Sequence, residues 1–89
     1  MKVPAQFRTF ADFDGRIRRM PVKLSKKIEL SNWLLTLVDA DRVYTEMELN
    51  ELFEAYVDDF ALVRRLLVES GSLERDRYGY EYRCVTASE

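Results

Sequence analysis

Three helix-phased apolar runs followed by two alternating ones, with a polar stop between each, leave a chain of 89 residues few ways to fold. From Lys26 to about Ala40, the residues Ile28, Leu30, Leu34, Leu35, Leu37 and Val38 recur at the spacing of a helix with a broad apolar face. Ser25, just ahead, is the expected N-cap. Arg42-Val43-Tyr44 is short and β-like, and Thr45-Glu46-Met47-Glu48 is a capping box. In such a box the Thr hydroxyl accepts from the N–H three residues on, and the Glu side chain reaches back to the Thr N–H. The helix it starts carries Leu49, Leu52, Phe53 and Tyr56 on one face, with Glu46, Glu51 and Glu54 over much of the rest.

Asp58-Asp59 breaks the chain and recaps it for a third helix, from about Phe60 to Ser70. On a 3.6-residue wheel Phe60, Val63, Leu66 and Leu67 face inward, Ala61, Arg65 and Val68 face outward, and Arg64 lies at the margin. Gly71 is the stop signal. Leu73–Arg77 and Tyr80–Val85 then read as two strands around a turn at Tyr78-Gly79, with Tyr80, Tyr82 and Cys84 sharing one face. Ahead of all this, residues 1–22 read as an extended arm with a hook at Asp14-Gly15, its aromatics Phe7, Phe10 and Phe13 packed on the body. The expected fold class is α+β: a winged helix-turn-helix over residues 23–89, three helices followed by a C-terminal β-hairpin, preceded by that arm.

Charge narrows the function classes. The formal net charge is −2, which argues against strong non-specific nucleic-acid binding. Its distribution is uneven: residues 1–30 hold eight basic and three acidic side chains, and the remainder holds six basic and thirteen acidic. The absence of His removes zinc sites and His-based catalysis of the usual kinds. No Gly-rich phosphate loop, nucleophile elbow or cysteine pair is present, so neither an enzyme nor a cofactor is expected. Cys84, the one cysteine, cannot form an internal disulfide, and it falls on the tyrosine face as a core residue rather than a nucleophile. No apolar run is long enough for a membrane span and the start lacks a signal-peptide stretch, so a cytoplasmic protein without a membrane partner is expected.

Several segments together resemble the bacterial domain of unknown function 2087. They are Phe13-Asp14-Gly15-Arg16, Met20-Pro21-Val22-Lys23, Lys26-Lys27, Tyr44-Thr45-Glu46-Met47-Glu48-Leu49-Asn50 and Val63-Arg64-Arg65-Leu66-Leu67-Val68-Glu69-Ser70-Gly71, then Leu73-Glu74-Arg75 and Tyr78-Gly79-Tyr80-Glu81-Tyr82-Arg83. The resemblance runs from about Phe10 to Arg83. Members of that family are similar to winged-helix regulators. Some carry the domain behind an ArsR- or MarR-like DNA-binding domain, and others are short and stand alone. The resemblance thus implies a regulatory role, by DNA contact or by an effector or dimer function, and carries no catalytic residues over.

Two readings follow for the basic residues. In the first the partner is double-stranded DNA: Arg65 projects from the third helix into the major groove, with Arg64 on a phosphate. Arg75 and Arg77 (with Arg83) touch the backbone from the hairpin, and Arg16, Arg18, Arg19, Lys23, Lys26 and Lys27 grip phosphate from the arm. In the second, Arg65 pairs with Glu69, Arg64 pairs with a carboxylate of the second helix or the wing, and the hairpin arginines guard a sheet edge. The basic strip then docks on Glu46, Glu51 and Glu54 of the same or a second copy, and the chain is a dimerisation or protein-interaction module facing a second copy or a partner regulatory protein. Trp33 and Tyr56 are core pieces or interface anchors. Arginines converging on a face free of carboxylates favour DNA, whereas intrusion of the helix-two glutamates favours the interaction module.

Overall fold

The computed structural model describes residues 3–85, so the expected limits at residues 1 and 89 fall outside the described residues. The chain forms a 3-10 helix over Ala5–Phe10, then α1 (Leu24–Leu35), β1 (Tyr44–Thr45), α2 (Glu46–Glu54), α3 (Phe60–Glu69), β2 (Leu73–Arg75) and β3 (Glu81–Cys84). The strands make one antiparallel sheet in the order β1-β3-β2. The architecture is a small α+β fold with four helical segments.

The capping box at Thr45 is formed. The Glu48 N–H donates to the Thr45 hydroxyl at 3.1 Å and the Thr45 N–H donates to Glu48 Oε1 at 2.9 Å. It opens α2 directly from β1, because the same Thr45 backbone ends the strand and starts the helix. Asp59 caps α3 by accepting from the Leu62 N–H at 3.2 Å. Leu49 and Phe53 of α2, Val63 and Leu67 of α3, and Leu30 and Leu34 of α1 meet in the core with Leu73 and Tyr82 of the sheet. Trp33 sits between Phe7 and Tyr56, edge-on to the latter at 5.5 Å, and packs against that core.

Several sequence expectations are corrected. α1 starts at Leu24 with Lys23 at the cap position and no side-chain cap, so Ser25 lies inside the first turn. It stops at Leu35, short of Ala40. There Thr36 turns both its hydroxyl and its N–H back to the Trp33 carbonyl, and Leu37 and Val38 bond three residues back. Such tightened bonds end an α-helix. The apolar period misleads because Val38 remains buried beyond the helix end. Val68, expected outward, is half-buried, touching the core from the side of α3 that also carries Arg65.

The expected hook at Asp14-Gly15 is present, but the segment ahead of it is a 3-10 helix rather than extended chain. Gly15, with φ +85°, supplies the left-handed residue of the turn after Asp12. Ile17 then pairs with Ala11 on one side and Val57 on the other, its N–H donating to the Tyr56 carbonyl at 2.8 Å. Val3, Phe7 and Ile17 are buried members of the core. Phe13, expected to pack on the body, stands at the hook tip in solvent.

The hairpin strands are shorter than expected. Asp76 accepts from the N–H groups of Tyr80 (2.8 Å) and Glu81 (3.3 Å), and its carbonyl accepts from Gly79. That side chain closes the turn early, so Arg77 and Tyr80 fall outside the strands and Tyr80 leaves the face of Tyr82 and Cys84 for solvent.

The Glu48 carboxyl is held below its ordinary value of 4.5, chiefly by the Thr45 backbone N–H, with Arg42 assisting and desolvation opposing. A depressed carboxyl stabilises the fold fully above the unfolded-state value and loses that contribution as pH falls through the folded one. Stability measured by urea unfolding is expected to fall below about pH 4.5 for the natural chain, and part of that acid sensitivity should vanish in Glu48→Gln. An acid limb unchanged by the substitution would contradict the capping-box role.

Candidate nucleic-acid interface

α3 buries Val63 and Leu67, so the helical period turns the intervening Arg65 outward. Its side chain is 73% exposed, and its ion pair among the described residues, to Glu69 at 3.5 Å, is an exposed i,i+4 contact. Such a pair is weak and readily exchanged for another anion. Between this face and the β2–β3 hairpin lies an open groove of about 570 Å³, lined by Leu62, Arg64, Arg65 and Val68 of α3 and by Arg75 and Tyr82 of the sheet. Asp59 and Glu69 lie at the same lining.

Arg64 has a different situation. Its side chain is only 18% exposed, it donates to the Asn50 side-chain carbonyl, and it lies 3.7 Å from Glu46. Its guanidinium stands 5.9 Å from the centre of the Tyr82 ring. The Tyr82 hydroxyl in turn donates to Glu46 at 2.8 Å. Burial first, then Glu46, pushes the Tyr82 phenol above its usual range, against the pull of Arg75 and Arg64. Arg64 is thus held among α2 and β3 side chains, the pairing weighed against a phosphate contact in its sequence position.

The hairpin divides its arginines. Arg83 is held by Glu74 at 2.7 Å across the strand pair. Arg75 is exposed, its stem passing near the Cα of Gly79. Arg77 is exposed in the turn. Neither has an ion pair among the described residues.

The basic strip of the arm does not line this groove. Arg16 donates to Asp58 at 2.6 Å and to the carbonyls of Glu54 and Val57. Arg18 holds Asp12 and Asp14, with Asp58 at 3.9 Å, and its pKa is raised, first by the Asp12 hydrogen bond. Lys26 pairs with Glu29. Arg19, Lys23 and Lys27 make no ion pair among the described residues. Docking of this strip on Glu46, Glu51 and Glu54 of the same chain is corrected: its carboxylate partners among the described residues are Asp12, Asp14, Asp58 and Glu29, and Glu54 accepts from Arg16 through its backbone carbonyl. The short α2–α3 connection brings Asp58 to the hook through the Ile17–Val57 bridge, a long-range pairing invisible in one-dimensional charge spacing.

Sequence reasoning gave Asn50 no physical role, although an amide inside a helix is a poor helix former and so a signal of a partner. It also missed Leu62 and Val68 as groove lining and the outward display of Tyr80. Cys84 is half-buried, and its thiol is pushed up by burial first and then by Asp39, which leaves it a poor nucleophile. Among the described residues, no group of three or more His, Cys, Asp or Glu is placed to hold a metal ion. Nor is any helix there long and apolar enough to cross a membrane.

Residues 16–84 match the model of a family described as an uncharacterized protein conserved in bacteria (DUF2087). No curated protein and no solved structure matches the chain.

The unequal settings of Arg64 and Arg65 give unequal expected costs. Arg64→Ala removes the donor to Asn50 and the cation beside Glu46, which keeps Tyr82, and should lose about 1–3 kcal/mol of unfolding free energy. Arg65→Ala removes one exposed pair and should lose less than about 0.5 kcal/mol. Chemical denaturation of both variants checks this, and equal losses would refute the assignment.

Proposed function

The chain belongs to this bacterial family, and on that premise we propose that it is a winged-helix DNA-binding module of a transcription-regulatory system in the bacterial cytoplasm. The element order α1-β1-α2-α3-β2-β3, with β3 between β1 and β2, supports the winged helix-turn-helix reading. In it α3 enters the major groove and the β2–β3 hairpin lies beside it on the sugar-phosphate backbone. The observation that carries the proposal is the shared groove that exposed Arg65 and Arg75 line from helix and hairpin. Arginine suits both tasks, because its fork matches a guanine edge as well as a phosphate.

The footprint proposed is narrower than the full set of cations. Arg65 reads the duplex, and Arg75 and Arg77 hold phosphate. Arg64 keeps α3 in place, and Arg16 and Arg18 are engaged by Asp58, Asp12 and Asp14. Arg19, Lys23, Lys26 and Lys27 contribute only where the duplex passes the start of α1.

One observation favours a second reading, a dimerisation or protein-interaction module. Asp59 and Glu69 line the same groove as the arginines, Glu46 holds Arg64 behind it, and Leu62 and Val68 add apolar surface. A protein surface of mixed charge fits such a groove, and size-exclusion chromatography with light scattering separates the readings. A stable dimer with Arg65 covered would favour the second.

Counterion release makes the narrow footprint measurable. Each phosphate neutralised contributes about 0.9 to the slope of log K against log salt. Fluorescence anisotropy with a labelled blunt duplex should give modest affinity with a slope of about −2, and Arg75→Ala should reduce that slope by about one. No binding at low salt with micromolar protein would overturn the DNA reading.

A further inference from the structure

The tip of the β2–β3 hairpin carries two tyrosines that the fold does not use. Tyr78 and Tyr80 are each 70% exposed, and their rings face one another with centroids 6.1 Å apart and planes 24° off parallel. Neither belongs to the core or to the packing around it. The backbone beneath them is tightly specified. Asp76 accepts from the N–H groups of Tyr80 and Glu81, its carbonyl accepts from Gly79, and Gly79 supplies the required positive φ of +76°. A turn pinned in this way presents its side chains with little ordering left to do on binding.

The charges around the pair select the partner. Asp76 is occupied by the turn and Glu74 by Arg83, so two of the three nearby carboxylates are engaged. Arg75 and Arg77 flank the tip without ion pairs among the described residues. Exposed aromatic rings beside arginines fit a nucleic-acid strand whose bases are unstacked: the rings meet base faces and the guanidinium groups meet phosphates. A fully paired duplex offers its base faces to neither ring, since they are covered within the stack.

We propose that the hairpin tip is a base-stacking platform, and that the preferred ligand is duplex DNA with unpaired bases next to the segment held by α3. This rests on the DNA reading above and deepens it: Arg65 and Arg75 hold the paired part, while Tyr78 and Tyr80 take up the unpaired bases.

The test uses fluorescence anisotropy with two labelled DNAs of equal phosphate number, a blunt duplex and a duplex with single-stranded overhangs, at one salt concentration. The natural chain should bind the overhang probe about tenfold more tightly. The double variant Tyr78→Ala, Tyr80→Ala should lose that preference and keep its affinity for the blunt duplex. Tyr78→Phe with Tyr80→Phe, which keeps both ring faces, should retain the preference. Circular dichroism confirms folding of each variant. Equal binding of both probes by the natural chain overturns the platform and leaves the DNA reading standing. An equal loss on both probes in the alanine variant also overturns it, by making the tyrosines general contacts. Absence of binding to either probe overturns both proposals, and self-association abolished by the alanine variant would reassign the tip to a protein contact.

Discussion

Tyr82 is the residue on which the geometry depends. It lies on the central strand, pairs with Tyr44 on one side and Arg75 on the other, and is buried with its hydroxyl on Glu46. Glu46 begins α2, and Arg64 of α3 reaches the same carboxylate and lies over the same ring. One side chain therefore joins the sheet to both helices. Strands of two to four residues are marginal on their own, so the hairpin needs this anchorage to stand at a fixed angle to α3. The groove follows from this: Arg65 and Arg75 line its two sides, and Arg64 and Tyr82, in contact with each other, line it as well.

What could be read from the chain beforehand was what local chemistry decides. The capping box at Thr45 and Glu48, the cap at Asp59 and the stop at Gly71 all act within a few residues, and all appear where their spacing places them. Element ends failed where a side chain competes with the backbone ladder: Thr36 truncates α1 and Asp76 shortens the hairpin. The arm was misread for a different reason. Its burial depends on Ile17 meeting Val57, and nothing in either segment's own pattern announces that pairing. The candidate site was legible as a helix with an outward Arg65 and an arginine-bearing hairpin. The distribution of the remaining cations was not, since it depends on which carboxylate the fold brings near.

That distribution bears on how a chain of net charge −2 can meet a polyanion. Much of its positive charge is cancelled close to where it arises, Arg16 and Arg18 at the hook and Arg83 across the strands. The charge left facing solvent at α3 and the hairpin is small, so the binding proposed there would have to come from geometry more than from bulk attraction. The proposed reading arginine in a groove beside a pinned aromatic tip would meet that requirement better than a diffuse basic surface would.

Hydrogen–deuterium exchange of the chain with and without a short DNA duplex tests most directly whether α3 and the hairpin act as one binding surface. The account expects slowed exchange on binding in both 60–69 and 73–84, with α1 unchanged beyond its first turn. Protection confined to α1, or protection of α3 without the hairpin, would contradict it.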